Sequence, residues 1–109
     1  MANIYRNAKV DFTNTDNTTV YTSPSNSRAI LKSILVSDDS GSGDSINVTL
    51  TDASAAVFSL FKTKAIGSNA TTELISQPII LQESEILKAQ ATTAGRLHMV
   101  VSLLEINRD

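Results

Sequence analysis

These 109 residues contain no cysteine and no tryptophan, and only two prolines, four glycines, two tyrosines and three phenylalanines. Without cysteine there is neither a disulfide framework nor a thiolate metal site. So few aromatics give no stacking platform for bases or sugars. Nine Lys and Arg against eleven Asp and Glu leave a net charge of −2, so no basic field exists to gather nucleic acid. No apolar run nears the ~18 residues of a membrane span. The opening MANIYRNAKVDF lacks the apolar core of a secretory signal. The expectation is a soluble chain made in the cytoplasm, with neither nucleic acid nor a membrane as partner.

What the chain does have is an apolar share of 41%, enough for one globular core and too much for a disordered segment. The length suits one domain. The stretch Arg28–Asp52, RAILKSILVSDDSGSGDSINVTLTD, organises the rest. It reads as two strands around a flexible turn. Alternation puts Ile30, Ile34 and Val36 on one face of the first strand and Ala29, Leu31 and Leu35 on the other. Apolar on both faces, that strand suits a central place in a sheet. On the second strand Ile46, Val48 and Leu50 alternate with Asn47, Thr49 and Thr51, one dry face against one wet face. The turn between them has little to bury, and Gly41 and Gly43 let the chain reverse.

The flanking segments follow the same rhythm. Residues 1–7 are polar apart from Ile4 and Tyr5 and read as a flexible N-terminal arm, either frayed or gripping a neighbour. Residues 8–109 form the domain. Ala8, Val10 and Phe12 alternate with Lys9, Asp11 and Thr13. Thr19–Thr22 is a short strand that Pro24 breaks. In AAVFSLFKTKAI, Val57 and Phe61 share one face and Phe58 and Leu60 the other; a helical spacing also fits, but β-branched and aromatic content favours a strand. Pro78 belongs at a strand start or a sheet edge. In RLHMVVSLLEIN, Leu97, Met99, Val101, Leu103 and Glu105 face one way, His98, Val100, Ser102, Leu104 and Ile106 the other. The sum is about eight short strands at spacings of about 8–12 residues, with no helix. That pattern predicts an all-β fold, a single antiparallel β-sandwich of jelly-roll or immunoglobulin-like type.

Chemistry is sparse. His98 is the sole histidine and has no nucleophile in a recognisable context. Asp38, Asp39, Asp44 and Asp52 gather about the central turn, where carboxylates in a glycine-rich loop could hold Ca²⁺, but their spacing is not that of an EF-hand. Glu83 and Glu85 resemble a carboxylate pair without an aromatic subsite. Asn17, Asn47 and Asn69 head glycosylation sequons, which matter only in an exported chain. Gly41-Ser42-Gly43 is too short to cradle phosphate. No residue is therefore assigned as catalytic, cofactor-binding or metal-ligating, no cofactor is expected, and the chain is expected not to be an enzyme.

Several phrases nevertheless resemble a family of small virion structural proteins of tailed bacteriophages, particularly marine ones. They are NAKVDFTNTDNTTVYTSPSNSRAILKSILVSDDSGSGDSINVTLTD, VFSLFKTKAI, QPIILQESEILKAQA and the closing RLHMVVSLLEI. Where that family often has Pro-x-Gly before the central strand, this chain has Pro24-Ser25-Asn26. The resemblance implies a β-sandwich located in the virion and assembled in the host cytoplasm. It implies an oligomeric capsid decoration (cement) protein, or a neck or tail accessory. Its partners would be other virion proteins, such as the major capsid protein, and further copies of itself, a trimer suiting a threefold site. A fibre-associated, glycan-binding module is the alternative.

Overall fold

The computed structural model describes residues 2–108, all of them in strands or in the turns between them. Nine strands follow in order: β1 (Ala2–Asp11), β2 (Thr18–Thr22), β3 (Ser27–Asp38), β4 (Asp44–Thr51), β5 (Val57–Ile66), β6 (Thr71–Glu73), β7 (Ile79–Leu81), β8 (Ile86–Ala91) and β9 (Leu97–Asn107). They build two antiparallel sheets. The first has the order β1-β9-β3, with β6 and β7 lying end to end along the far side of β3; the second is β2-β8-β4-β5. Counting β6 and β7 as one interrupted edge strand gives eight. The chain crosses between the sheets at each of its first four strands and returns in the reverse nesting, which is the jelly-roll connection. Of the two expected sandwich types, this topology selects that one.

The core lies between the sheets. Leu31, Ile34, Val36, Met99, Val101 and Leu103 of the first sheet meet Ile46, Val48, Leu87 and Ala89 of the second, all essentially free of solvent. Every one of these positions alternates along its strand with a more exposed residue, so removing one face of each sheet from water drives the two sheets together.

Three expectations are corrected by the pairing. The first strand starts at Ala2. Met1 lies outside the described residues, but Ala2–Asn7, expected as a flexible arm, pair one-to-one with Asn107–Ser102 of β9. The long β9 supplies a ladder for this polar stretch, and backbone bonding needs no apolar side chains.

The second correction concerns β3. Its ladder with β9 slips by one residue between Leu31 and Ser33, leaving Lys32 as a bulge. A bulge changes the phase of alternation. Ser27, Ala29 and Leu31 point inward before it, and Ile34, Val36 and Asp38 after it. Ala29 and Leu31 therefore share the core face with Ile34 and Val36, while Ile30 and Leu35 share the outer face.

In β5 the ladder with β4 slips twice, around Val48. The adjacent Leu60 and Phe61 both pack against the core, which strict alternation had placed on opposite faces. Asn47 fixes this distortion by accepting a hydrogen bond from the Thr63 amide at 2.6 Å, where Thr63 takes a left-handed φ of 52°.

Glu73 holds the β3 bulge. Its carboxylate accepts from the Ile34 amide at 2.7 Å and from the Ser33 hydroxyl, and Leu74 donates its amide to the Ile34 carbonyl at 2.9 Å. Charge-assisted bonds of this kind contribute about 1.5–3 kcal/mol where shielded, and less at an exposed side chain. Glu73→Ala should lower the urea midpoint by an amount equivalent to about 1–2 kcal/mol with an unchanged m-value. An unchanged midpoint would mean that the bulge holds itself.

Candidate functional site

The carboxylates singled out in the sequence do not converge. Asp38 is turned inward with 3% of its surface exposed. It accepts from the Ser40 amide at 3.0 Å, the Ser40 hydroxyl, the Gly43 amide at 2.8 Å and the Asn69 amide at 3.1 Å. These donors, the Ser40 hydroxyl foremost, hold its pKa well below the usual carboxylate range. Gly43 suits the spot for a steric reason as well. Its φ is +72°, and a Cβ there would sit 3.1 Å from the Ile66 carbonyl oxygen. Asp44 accepts from the Thr93 amide at 2.8 Å, and Asp52 from the amides of Ser54 and Ala56 at 2.9 and 3.0 Å. Asp38, Asp44 and Asp52 each fasten a different turn, and among the described residues no group of three His, Asp or Glu side chains is placed to hold a metal ion.

His98 lies on the outer face of the first sheet. Its Nε2 is 3.1 Å from an Asp11 oxygen and its Nδ1 3.7 Å from an Asp39 oxygen. Ser37 is opposite it in the ladder, giving a serine–histidine–aspartate row across three strands. Both ring nitrogens face carboxylates, however, so neither is turned to the hydroxyl as a general base would be. Glu83 and Glu85 border a shallow groove beside Arg28 and Arg108. There Glu83 pairs with Arg108 at 3.1 Å and Glu85 accepts from the Gln82 amide at 2.8 Å, so these charges satisfy one another.

One polar cluster spans the two sheets. The Tyr21 hydroxyl of β2 donates to Glu105 of β9 at 2.6 Å, and the Arg6 guanidinium of β1 lies 3.2 Å from the same oxygen. Glu105 is 5% exposed, and this pairing is what lets it lie among core residues. Burial, then the hydrogen bond to Glu105, pushes the Tyr21 hydroxyl far above its ordinary value near 10.

The feature that this chain offers to another molecule is a surface. Ladder partners on the outer face of the first sheet form an apolar row, Tyr5–Leu104–Ile30–Ile80, running from β1 through β9 and β3 to β7. Tyr5 and Ile80 are 76% and 59% exposed. Val100 and Leu35, paired in the same ladder and also exposed, form a second apolar pair two rows further along the strands, beyond the polar row Asn7–Ser102–Ser33. The outer face of the second sheet presents mainly Asn47, Thr49, Lys88 and Gln90. Val57 and Phe58 are also exposed, on edge strand β5 of the second sheet, but the row on the first sheet crosses four strands, and an apolar row of that extent suits an interaction surface.

No family model and no curated protein matches the chain. Solved structures share its fold, two of them from microbial assemblies. One belongs to the Bacillus endospore appendages, described as a novel family of disulfide-linked pili; it aligns with a TM-score of 0.58 at 9% identity over 98% of this chain and 89% of that one. The other belongs to the acid-stable capsid of Helicobacter pylori bacteriophage KHP30, with a TM-score of 0.59 at 11% identity over 97% of this chain and 89% of that one. At these identities the likeness is one of fold.

The two shifted groups predict opposite pH effects. Asp38 is more acidic folded than unfolded, so its contribution is complete above about pH 4 and is lost as pH falls. Asp38→Asn should lower the melting temperature at pH 7 by several degrees and flatten the decline on the acid side. Tyr21 is less acidic folded than unfolded, so its contribution is complete below about pH 10 and declines above it. Tyr21→Phe should flatten the alkaline decline. Thermal melts across pH check both; unchanged slopes would contradict the assigned bonds.

Proposed function

We propose that the chain is a structural protein of a bacteriophage virion, a non-enzymatic subunit that decorates and cements the head by self-association and by contact with the shell. The observation that carries this reading is the apolar row Tyr5–Leu104–Ile30–Ile80 on a sheet face that its own fold leaves uncovered. A monomer gains nothing from such a row, whereas a subunit packed in an assembly buries it. The fold likeness to chains of a phage capsid and of a pilus supports the same class of role, since both are assemblies. The acidic residues fit the same reading, because Asp38, Asp44, Asp52 and Glu73 are spent on turn and bulge amides and Glu83 and Glu105 on arginines. The Bacillus pili are disulfide-linked; these 109 residues hold no cysteine, so they form no such link. Many modest contacts repeated over a particle then sum to stable attachment.

The purified chain should co-sediment with empty heads at saturable stoichiometry and fail to co-sediment with isolated tails. Introducing Ile30→Asp together with Leu104→Asp should abolish attachment, with folding checked by circular dichroism. Attachment to tails alone would replace head decoration by the neck or tail accessory role. Attachment to neither, with binding to host glycans, would replace both by the glycan-binding reading.

A further inference from the structure

The four sheet edges are not equivalent. β5 has two register slips, a left-handed Thr63, and Lys62 and Lys64 along it. β2 is five residues long and slips between Thr19 and Tyr21. The edge opposite β9 is split into β6 and β7, three residues each, with Pro78 between them. Each device blocks an incoming strand. β1 carries Arg6 and Lys9 but has no slip, break or proline: its ten residues pair with β9 in unbroken register and end the sheet.

Its backbone phase can be read directly. The Phe12 amide donates to the Leu97 carbonyl at 3.1 Å, so even-numbered residues turn their backbone groups toward β9. Asn3, Tyr5, Asn7 and Lys9 therefore turn theirs to the open side. The geometry points to a second copy of this chain as the occupant of that side, its β1 antiparallel to the first about a twofold axis at Asn7. The inference rests on the self-associating role proposed above and names its contact.

In this register Asn7 faces its own copy, Tyr5 faces the partner's Lys9, and Asn3 faces the partner's Asp11. On the inner side Ile4 faces the partner's Val10. Tyr5 and Lys9 share the outer face, where the ammonium can lie against the exposed ring, and among the described residues Lys9 forms no ion pair. Sliding by two residues in one direction sets Arg6 against Arg6. Sliding in the other sets Arg6 against Val10 and shortens the overlap. The contact is self-complementary, as a twofold interface requires, and so differs from the trimer that would suit a threefold site. It joins two four-stranded sheets, β6 and β7 counting as one strand, into one of eight strands, with each apolar outer row meeting the partner's Lys9 at the seam.

Because the chain lacks cysteine, a single one reports cleanly on the axis. Asn7→Cys should oxidise to a disulfide-linked dimer, while Ile80→Cys, at the far edge, should not. Asn7→Pro removes an amide aimed away from β9; it should raise the dimer dissociation constant about tenfold or more in sedimentation velocity while the fold melts as before. Hydrogen exchange should slow with protein concentration at Tyr5, Asn7 and Lys9, and stay constant at Arg6 and Ala8. A chain that remains monomeric at high micromolar concentration, or one that crosslinks through Ile80→Cys instead, overturns the proposal. If exchange at the odd-numbered amides slows only in the assembled particle, a different chain occupies the edge. The second-copy contact then fails while the virion role stands.

Discussion

The ladder between β3 and β9 is the interaction on which the molecule depends. Eleven residues of β3 lie opposite β9, and every other strand of that sheet pairs with one of these two. Both strands are apolar on both faces, but a two-layer sandwich buries only one face of each sheet. The bulge at Lys32 decides which residues go inside. It lets Ala29 and Leu31, then Ile34 and Val36, all reach the core, and it leaves Ile30 and Leu35 outside with Leu104 and Val100. The uncovered apolar row is a direct consequence of that register.

Polar residues are used locally. Asp38, Asp44 and Asp52 replace water around turn amides. Glu73 secures the bulge, and Glu105 binds Tyr21 and Arg6 across the layers. The strands are joined by short turns, where backbone donors would otherwise lie half-buried without partners. Short acidic side chains supply acceptors at those points. Acidity that resembles a cation site in one dimension thus becomes a set of separate fasteners in three.

The strands, the turns and the sandwich class were legible from alternation and from Pro, Gly and Asn punctuation. The split of the far edge was foreshadowed by Pro78. The phase of β3 was not legible, because a bulge at Lys32 has no residue signature and depends on Glu73, which lies far along the chain. Nor was the pairing of Ala2–Asn7, since a polar segment becomes a strand only when a neighbour offers a ladder. His98 and the aspartates could be named but not placed. The apolar row joins residues from four separate stretches, and only the register between strands reveals that Tyr5, Ile30, Ile80 and Leu104 adjoin. The double apolar pattern of β3 was visible, however, and its second face is the one the fold leaves open.

Hydroxyl-radical footprinting of the chain, free and in the assembled particle, tests the central claim most directly. The account predicts that Tyr5, Ile30, Ile80 and Leu104 are modified in the free chain and protected together in the particle, with Val57 and Phe58 changing less. Equal modification of the row in both states, or protection confined to the groove around Glu83 and Arg108, would contradict it.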